Sequence, residues 1–460
     1  MADGLRDVFP PVPTEAWEDA ARQELGGRDL ASLAWHTGEG VTVAPFYRRE
    51  HLEGLEAQAV VAAVTASGEV PADAIRADAL HDAGATTVQQ LAWAIAEGVE
   101  QLATATAAGT PVDEAARDVA FAFAVGPLYF VEIAKLRAAR LLWSAVVAAF
   151  GSASPRAASA RVHVRTARID KSRDDPYTNL LRVTTAAMSA VIGGADTVQV
   201  EPYGFEPHLA TNVPRILVEE AHLDAVADPG AGSYYVERLT DAIAHEAWAL
   251  FQQIEAAGGH AAAVAAGMRD AHVAASRAVR EHAVAVRDRT LVGVNDYPDL
   301  TGHAPPAVAW QDHDGDDTPG LEPVRLAAPF ETLRQRTARH AATTGRTPRV
   351  HMLTRGDVGM RTARAGFCLN LFGCAGLDVS QGDALPDAAD LVVICAADEE
   401  YPAIVADVMP HVAVPVLVAG RPAAAAAAAL TAAGVAGFVH RGIDVIEVLT
   451  AWQDRLGMAP

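Results

Sequence analysis

Two stretches of this chain repeat one pattern: a short run of β-branched and apolar residues, then a long helix with clear start and stop signals. This constrains the fold more than any other feature, because strands that alternate with helices pair in parallel across helical crossovers. In the first stretch the strand-like runs are Ile75–Ala79, Phe121–Val125, Arg161–Arg165 and Thr197–Val200, with Leu223–Val226 a further candidate. Between them, Val88–Leu102 sets Val88, Leu91, Ala92, Ile95, Val99 and Leu102 on one helical face, and Thr87 with Gln90 reads as a capping box. Leu128–Phe150 carries Val131, Leu136, Leu141, Leu142, Val146 and Val147 inward, which leaves Glu132, Lys135, Arg137 and Arg140 outward or across an interface. Asp175-Pro176 is a cap residue followed by a helix-starting proline, and Gly193-Gly194 stops that helix. A further helix is read over Tyr235–Ile254. In the second stretch the strands are Arg349–Leu353, a short run near Leu377–Val379, Leu391–Cys395, Val414–Val418 and Gly437–His440.

The expected organisation is therefore an N-terminal arm over 1–60, with one amphipathic helix around Trp17–Leu25. An α/β domain follows over 61–300, then a linker rich in Pro, Asp, Gly and His over 301–345, then a doubly wound, flavodoxin-like domain over 346–460. With 460 residues the chain is long enough for several cores. Its net charge of -22 argues against nucleic acid and anionic membrane as partners, since both recruit cationic surfaces. Cys368, Cys374 and Cys395 form no CxxC pair and sit at apolar positions, so they read as buried thiols. The N-terminal MADGLRDVFPPVP has neither a basic nor an apolar signal region, and a reducing cytoplasm is the expected location.

Free-standing catalytic signatures are absent. Asp312-His313-Asp314-Gly315-Asp316-Asp317 has its Gly too early for a calcium loop and Pro323 where the closing Glu belongs, so it reads as solvated linker. Gly230-Ala231-Gly232-Ser233 is not a nucleophile elbow, because its Ser follows the second Gly. Gly420-Arg421-Pro422 could form an anion nest but reads more simply as a turn.

Several longer runs carry a resemblance. They are AGATTVQQLAWAIAEG at Ala83–Gly98, FAFAVGPLYFVEIAKLRAARLLW at Phe121–Trp143 and DPYTNLLRVTTAAMSAVIGGADTVQV at Asp175–Val200, with DPGAGSYYVE at Asp228–Glu237 and VNDYPD at Val294–Asp299. Together they resemble the acyl-CoA-binding barrel of the methylmalonyl-CoA mutase family. The runs RTARIDKSRDD at Arg165–Asp175 and MRTARAGFCLNLFGCAG at Met360–Gly376 are similar to the family's small, non-catalytic subunits.

The resemblance implies an incomplete (β/α) barrel, because the stretch between Tyr47 and Ile75 is far too short for the missing strands. Half of the family's CoA tunnel is then absent, which argues against CoA binding. The family's catalytic Tyr-His pair falls on Asp78 and Ala79, with His81 two residues beyond. The corner TRGDVGMRTARAG at Thr354–Gly366 falls on the family's D-x-H-x-x-G cobalamin loop, and places Arg361 at the cobalt-ligand His and Arg364 at the Gly. A guanidinium has no lone pair for a metal. No catalytic, cofactor-binding or metal-ligating residue is assigned to this chain. The resemblance implies a heterodimer whose catalytic mutase subunit binds adenosylcobalamin and exchanges methylmalonyl-CoA and succinyl-CoA. The competing reading is an active acyl-CoA isomerase in its own right, for which Tyr177, Asn179, Arg182, His163 and Arg165 are the candidates. A homo-oligomeric scaffold is the third.

Overall fold

The computed structural model describes residues 12–55, 68–300 and 320–459. Phe9–Pro11 of the arm and the acidic run Asp312–Asp317 lie outside the described residues. The arm holds α1 (Thr14–Glu24) and a hairpin of β1 (Trp35–His36) and β2 (Thr42–Val43).

The first α/β unit then runs β3 (Ile75–Arg76), α2 (Ala77–Asp82), α3 (Thr87–Ala107), α4 (Val112–Asp118), β4 (Ala120–Val125), α5 (Tyr129–Ala149), α6 (Pro155–Ala158), β5 (Arg161–Thr166), α7 (Pro176–Ile192), β6 (Thr197–Gln199), α8 (Pro207–Arg215), α9 (Tyr234–Ala256), α10 (His260–Ala265) and α11 (Met268–Ala285). Its four strands are all parallel, in the sequential order β3-β4-β5-β6. Among the described residues β3 and β6 each have one strand neighbour, so the sheet does not close.

The second unit runs α12 (Ala328–Thr344), β7 (Arg349–Thr354), α13 (Val358–Gly373), β8 (Asp378–Gly382), β9 (Leu391–Cys395), α14 (Tyr401–Val408), β10 (Val416–Ala419), α15 (Ala424–Ala432), β11 (Gly437–Val439) and α16 (Val445–Arg455). Its sheet is parallel throughout, with order β8-β7-β9-β10-β11. Among the described residues no helix is long and apolar enough to cross a membrane.

Side-chain alternation divides the first sheet into two faces. Phe121, Phe123, Val125, Val162, Val164 and Val198 join the helices in one core. The other face carries Ala120 and Ala122, and by the same alternation His163, Arg165, Thr197 and Gln199. The chain's own residues 68–74 cross that second face. Val70 and Ala74 pack on Ala120 and Ala122, and the Val70 amide donates to Gln199 Oε1 at 3.0 Å. Gly68 makes the crossing possible, since a Cβ there would sit 2.9 Å from Thr197 Cγ2. A second core joins Ala124, Ala167, Ile169 and Val284 of the first unit to Leu326, Phe330 and Leu333 near the start of the second.

Five expectations need correcting. The strand at Ile75 spans two residues, because helix α2 begins at Ala77, and Leu223–Val226 is turn rather than strand. The capping box of α3 lies one residue earlier, on Thr86 and Gln89, while Thr87 donates through its amide to Glu39 Oε2 at 2.9 Å. Residues 328–344, read as linker, are helix α12: Pro329 sits in its first turn, where a missing N–H costs nothing, and Phe330 and Leu333 are buried.

Most telling, Glu132, Lys135, Arg137 and Arg140 do not face outward but are buried. Helix α5 packs against α3, α7 and α9, which buries it all round over Val131–Arg140. Arg137 is matched there by Asp228 at 3.0 Å, Glu237 at 2.9 Å and Thr240 Oγ1 at 3.0 Å. Removing one member of such a set strands the others without solvent. Arg137→Met should therefore lower unfolding stability by about 3–5 kcal/mol in a denaturant titration. A loss under about 1 kcal/mol would mean that Asp228 and Glu237 recover water.

Candidate functional site

Parallel sheets present ligands at the carboxyl ends of their strands. At that end of the first sheet, strand β3 passes into α2, and so Asp78 and Asp82 project toward β5. Arg165 on β5 answers both: its Nε bonds Asp78, and its Nη1 lies 2.7 Å from Asp82 Oδ2. Arg76 adds a second contact to Asp78 at 2.8 Å. Burial works against the charged form of Asp78, but Arg165 and Arg76 together hold its carboxyl below the usual range. For Asp82 burial prevails and raises the carboxyl. Asp82 Oδ1 accepts the Arg168 amide at 2.8 Å, and the Asp82 carbonyl accepts the Val324 amide at 2.8 Å, which ties this layer to the second unit.

The neighbouring charges are matched in the same way. Lys135 Nζ pairs with Glu132 and donates to Ala124 O at 2.6 Å and Gln90 Oε1 at 3.2 Å. Glu132 Oε1 accepts the Gly126 amide at 2.9 Å. Lys171 Nζ pairs with Asp170 at 2.8 Å and lies 5.4 Å from the centre of the Tyr203 ring. His81 Nδ1 is buried without a hydrogen-bond partner. Burial, and then Lys135, Arg280 and Arg165, press its imidazole well below its usual pKa, so it is held neutral. Asp78, Asp82, Glu132, Lys135, Asp170 and Lys171 of this layer are each matched by an opposite charge.

The candidates for an independent active site fall apart in space. Asn179 is a structural bridge that donates to Ser172 O at 2.6 Å and Tyr203 O at 3.0 Å. Arg182 braces it through Nη1 at 3.0 Å and reaches Val292 O with Nη2. His163 Nδ1 lies 2.8 Å from Thr197 Oγ1, while Arg165 is committed to the two aspartates. Tyr177 is exposed to solvent. Sequence reasoning missed Asp82, Glu132, Lys135 and Lys171 as an inner layer. The available signal was charge inside helices and turns whose flanking residues are apolar on both sides.

At the carboxyl edge of the second sheet, Asp357 caps α13 by accepting the Met360 amide at 2.8 Å. Arg361 is part-exposed one turn in, and Arg364 lies across the strand ends. Arg364 Nη1 donates to Ala396 O after β9 and to the Tyr401 hydroxyl, and Nη2 meets Asp398 Oδ1 at 2.7 Å. Tyr401 OH in turn donates to Ala419 O at the end of β10, and burial pushes this phenol up to about 12. Arg364 Nη1 would be 3.0 Å from a Cβ on Gly420, and the Gly420 amide is spent on Val439 O at 2.8 Å, so it is not a free anion nest. Glu400 closes the corner from the other side, accepting the Ala397 amide at 2.9 Å and the Asp357 amide at 3.1 Å. Gly356, at φ +76°, leaves the room Glu400 occupies.

The cysteines are free and buried, with the Cys374 thiol raised by burial to about 11, so it is no nucleophile at neutral pH. Among the described residues no group of three or more His, Cys, Asp or Glu is arranged to hold a metal.

The family model described as methylmalonyl-CoA mutase matches residues 71–317. The chain belongs to the methylmalonyl-CoA mutase family. It is 38% identical over 406 residues to the "Methylmalonyl-CoA mutase small subunit" of Porphyromonas gingivalis, covering 82% of this chain and 65% of that protein. The protein of the same name from Streptomyces virginiae is 34% identical over 467 positions, covering 96% of this chain and 72% of the relative. A "Probable methylmalonyl-CoA mutase small subunit" of Mycobacterium tuberculosis is 37% identical over 381 residues, or 76% and 59% of the two chains. The chain thus spans roughly two thirds of the length of the relatives it matches. The mutase family is cobalamin-dependent, and names of this kind imply a partner subunit.

The neutral, buried His81 has a measurable consequence. Its folded-state pKa lies below the unfolded value of 6.5, so the unfolded chain takes up the proton first as pH falls. Stability is therefore retained above pH 6.5 and declines below it, at a slope of about 1.4 kcal/mol per pH unit for each such histidine. His163, His260 and His351 are depressed in the same direction and add to that slope. His81→Gln should make the fall between pH 6.5 and 5 shallower by up to one proton's worth. Superimposable pH profiles for the two proteins would show that His81 already titrates normally.

Proposed function

We propose that this chain is a small-subunit-like, non-catalytic partner of an adenosylcobalamin-dependent mutase. In this reading it binds and stabilises a catalytic chain that exchanges methylmalonyl-CoA and succinyl-CoA. Four parts make it up: an arm over 1–60, a partial (β/α) barrel over 61–300, a connecting stretch over 301–345 that includes α12, and a flavodoxin-like domain over 346–460. The cytoplasm is the expected location, and neither nucleic acid nor membrane is a partner.

One observation carries the reading. The edge of the second sheet where a doubly wound domain would receive a corrinoid is filled by the protein's own Arg364, Asp398 and Tyr401. Cobalamin does not fit the residues present, on two counts. The ligand position implied by the family resemblance is Arg361, which cannot give a lone pair to cobalt. The adjacent space holds a hydrogen-bonded guanidinium, whose removal would leave Asp398 and the Ala396 carbonyl short of donors.

The first unit supports the same conclusion. Asp78, at the position of the catalytic Tyr, is paired with Arg165 and Arg76, and Ala79 has no polar group to offer a thioester. Residues 68–74 cover the small-residue face along which an acyl-CoA chain would have to lie, so CoA is not expected to bind.

The purified chain, supplied with adenosylcobalamin and methylmalonyl-CoA, should form no succinyl-CoA, and should co-purify with the catalytic chain from the same source. Turnover by the isolated protein would reverse the assignment in favour of an active isomerase. Failure to co-purify, with no change in the catalytic chain's stability or rate, would leave a self-associating scaffold as the better account.

A further inference from the structure

Residues 68–74 cover a sheet face with little to hold them there. Gly68 lies against Thr197 of β6, and the Val70 amide donates to Gln199 Oε1 on the same strand at 3.0 Å. Val70 and Ala74 pack on Ala120 and Ala122 of β4. The Ala74 amide turns back to Pro71 O at 3.1 Å. The segment is thus pinned on β6 and on β4, and passes over β5 between them. A stretch with so few buried apolar contacts opens at a fraction of the cost of unfolding its domain.

β5 places a titratable group under the middle of that crossing. In the sheet register His163 stands between Ala122 of β4 and Thr197 of β6, in the row that the segment touches at both ends. Its imidazole is buried, with Nδ1 2.8 Å from Thr197 Oγ1, and its Nε2 has no hydrogen-bond partner among the described residues. Whichever nitrogen carries the proton in the neutral ring, the imidazolium has an Nε2–H with no acceptor. A buried cation with an unmatched donor is costly, and water admitted by opening the segment supplies the acceptor.

The charges around His163 do not cancel this cost. Asp196, just before β6, is paired with Arg140 of α5 at 3.0 Å. Arg161, on the same strand, donates to Asp118 O at 2.6 Å, and Asp73 of the crossing segment is exposed to solvent. Further along the face Arg165 is committed to Asp78 and Asp82. Burial depresses the imidazole most. Asp196 and Asp73 work against that, Arg161 and Arg140 work with it, and the ring is left below its usual pKa.

We propose that residues 68–74 are a releasable strap over the first sheet, and that protonation of His163 beneath them releases it. With the strap closed the ring resists the proton, and with the strap open it titrates near its ordinary value of 6.5. The closed form is therefore favoured above pH 6.5 and weakens as pH falls below it, by at most about tenfold per pH unit. Release uncovers the row of Ala122, His163 and Thr197 to solvent.

The test is amide hydrogen exchange of the full-length chain at about pH 7.5 and about pH 5.5, corrected for the intrinsic rates, with Phe123 of β4 as the reference. Protection of the Val70 and Ala74 amides should fall by roughly three- to tenfold between the two conditions. At both they should be less protected than Phe123, which exchanges only when the sheet itself unfolds. His163→Gln, whose amide can still bond Thr197 but takes up no proton, should show equal strap protection at both pH values. Gly68→Val keeps the question open to test if that variant does not fold. Its Cβ would sit 2.9 Å from Thr197 Cγ2 and lift the strap, so an NMR titration should find His163 nearer 6.5 than in wild type. Strap protection that is the same at both pH values, or a pH dependence that survives in His163→Gln, would overturn the proposal. So would strap amides as protected as Phe123, because the strap would then not open on its own, and so would an unmoved His163 in Gly68→Val.

Discussion

The pairing of Arg165 with Asp78 and Asp82 is the contact on which the rest of the architecture turns. A four-stranded parallel sheet with two open edges has little to hold its strand ends in register. Here one guanidinium from β5 reaches the two carboxylates that follow β3, across the intervening β4. Asp82 passes the constraint on, to the Arg168 amide on one side and the Val324 amide on the other, so the same buried layer positions the second unit. Such pairs add little net stability over an apolar core, but losing one member is costly, which makes them a means of fixing one arrangement. The carboxyl end of this sheet is thus occupied by paired charges.

The second sheet is also braced at its carboxyl edge. Arg364 spans the ends of β9 and β10 through Ala396, Tyr401, Asp398 and Ala419, and turns an open crevice into a hydrogen-bonded seam. In the proposed non-catalytic reading, Arg361 stands where a metal ligand would be and Arg364 fills the adjacent space, so changing either residue alone should not create a corrinoid site.

Much of this was legible in the sequence, and what was not has physical causes. The strands at Phe121–Val125, Arg161–Arg165 and Leu391–Cys395, and the helix from Asp175-Pro176 to Gly193, follow from local apolar periodicity and caps, which act over a few residues. The charges of α5 were misread because their partners, Asp228 and Glu237, lie far along the chain, and a lone arginine in a sequence looks like one meant for water. Helix α12 was hidden by Pro329, which signals a break in mid-helix but is harmless in a first turn. At the candidate site the sequence singled out Arg361 and Ala79, but not the hydrogen bonds of Arg364 or the crossing of 68–74 over Ala120 and Ala122, which exist only in three dimensions.

In the proposed pairing this chain is the member that carries no corrinoid. The most direct measurement is the cobalamin content of the complex purified with its catalytic chain, read from the visible spectrum against the concentration of each subunit. One cobalamin for each pair of chains is the predicted result. Two per pair, or a His-ligated corrinoid spectrum from this chain alone, would contradict it.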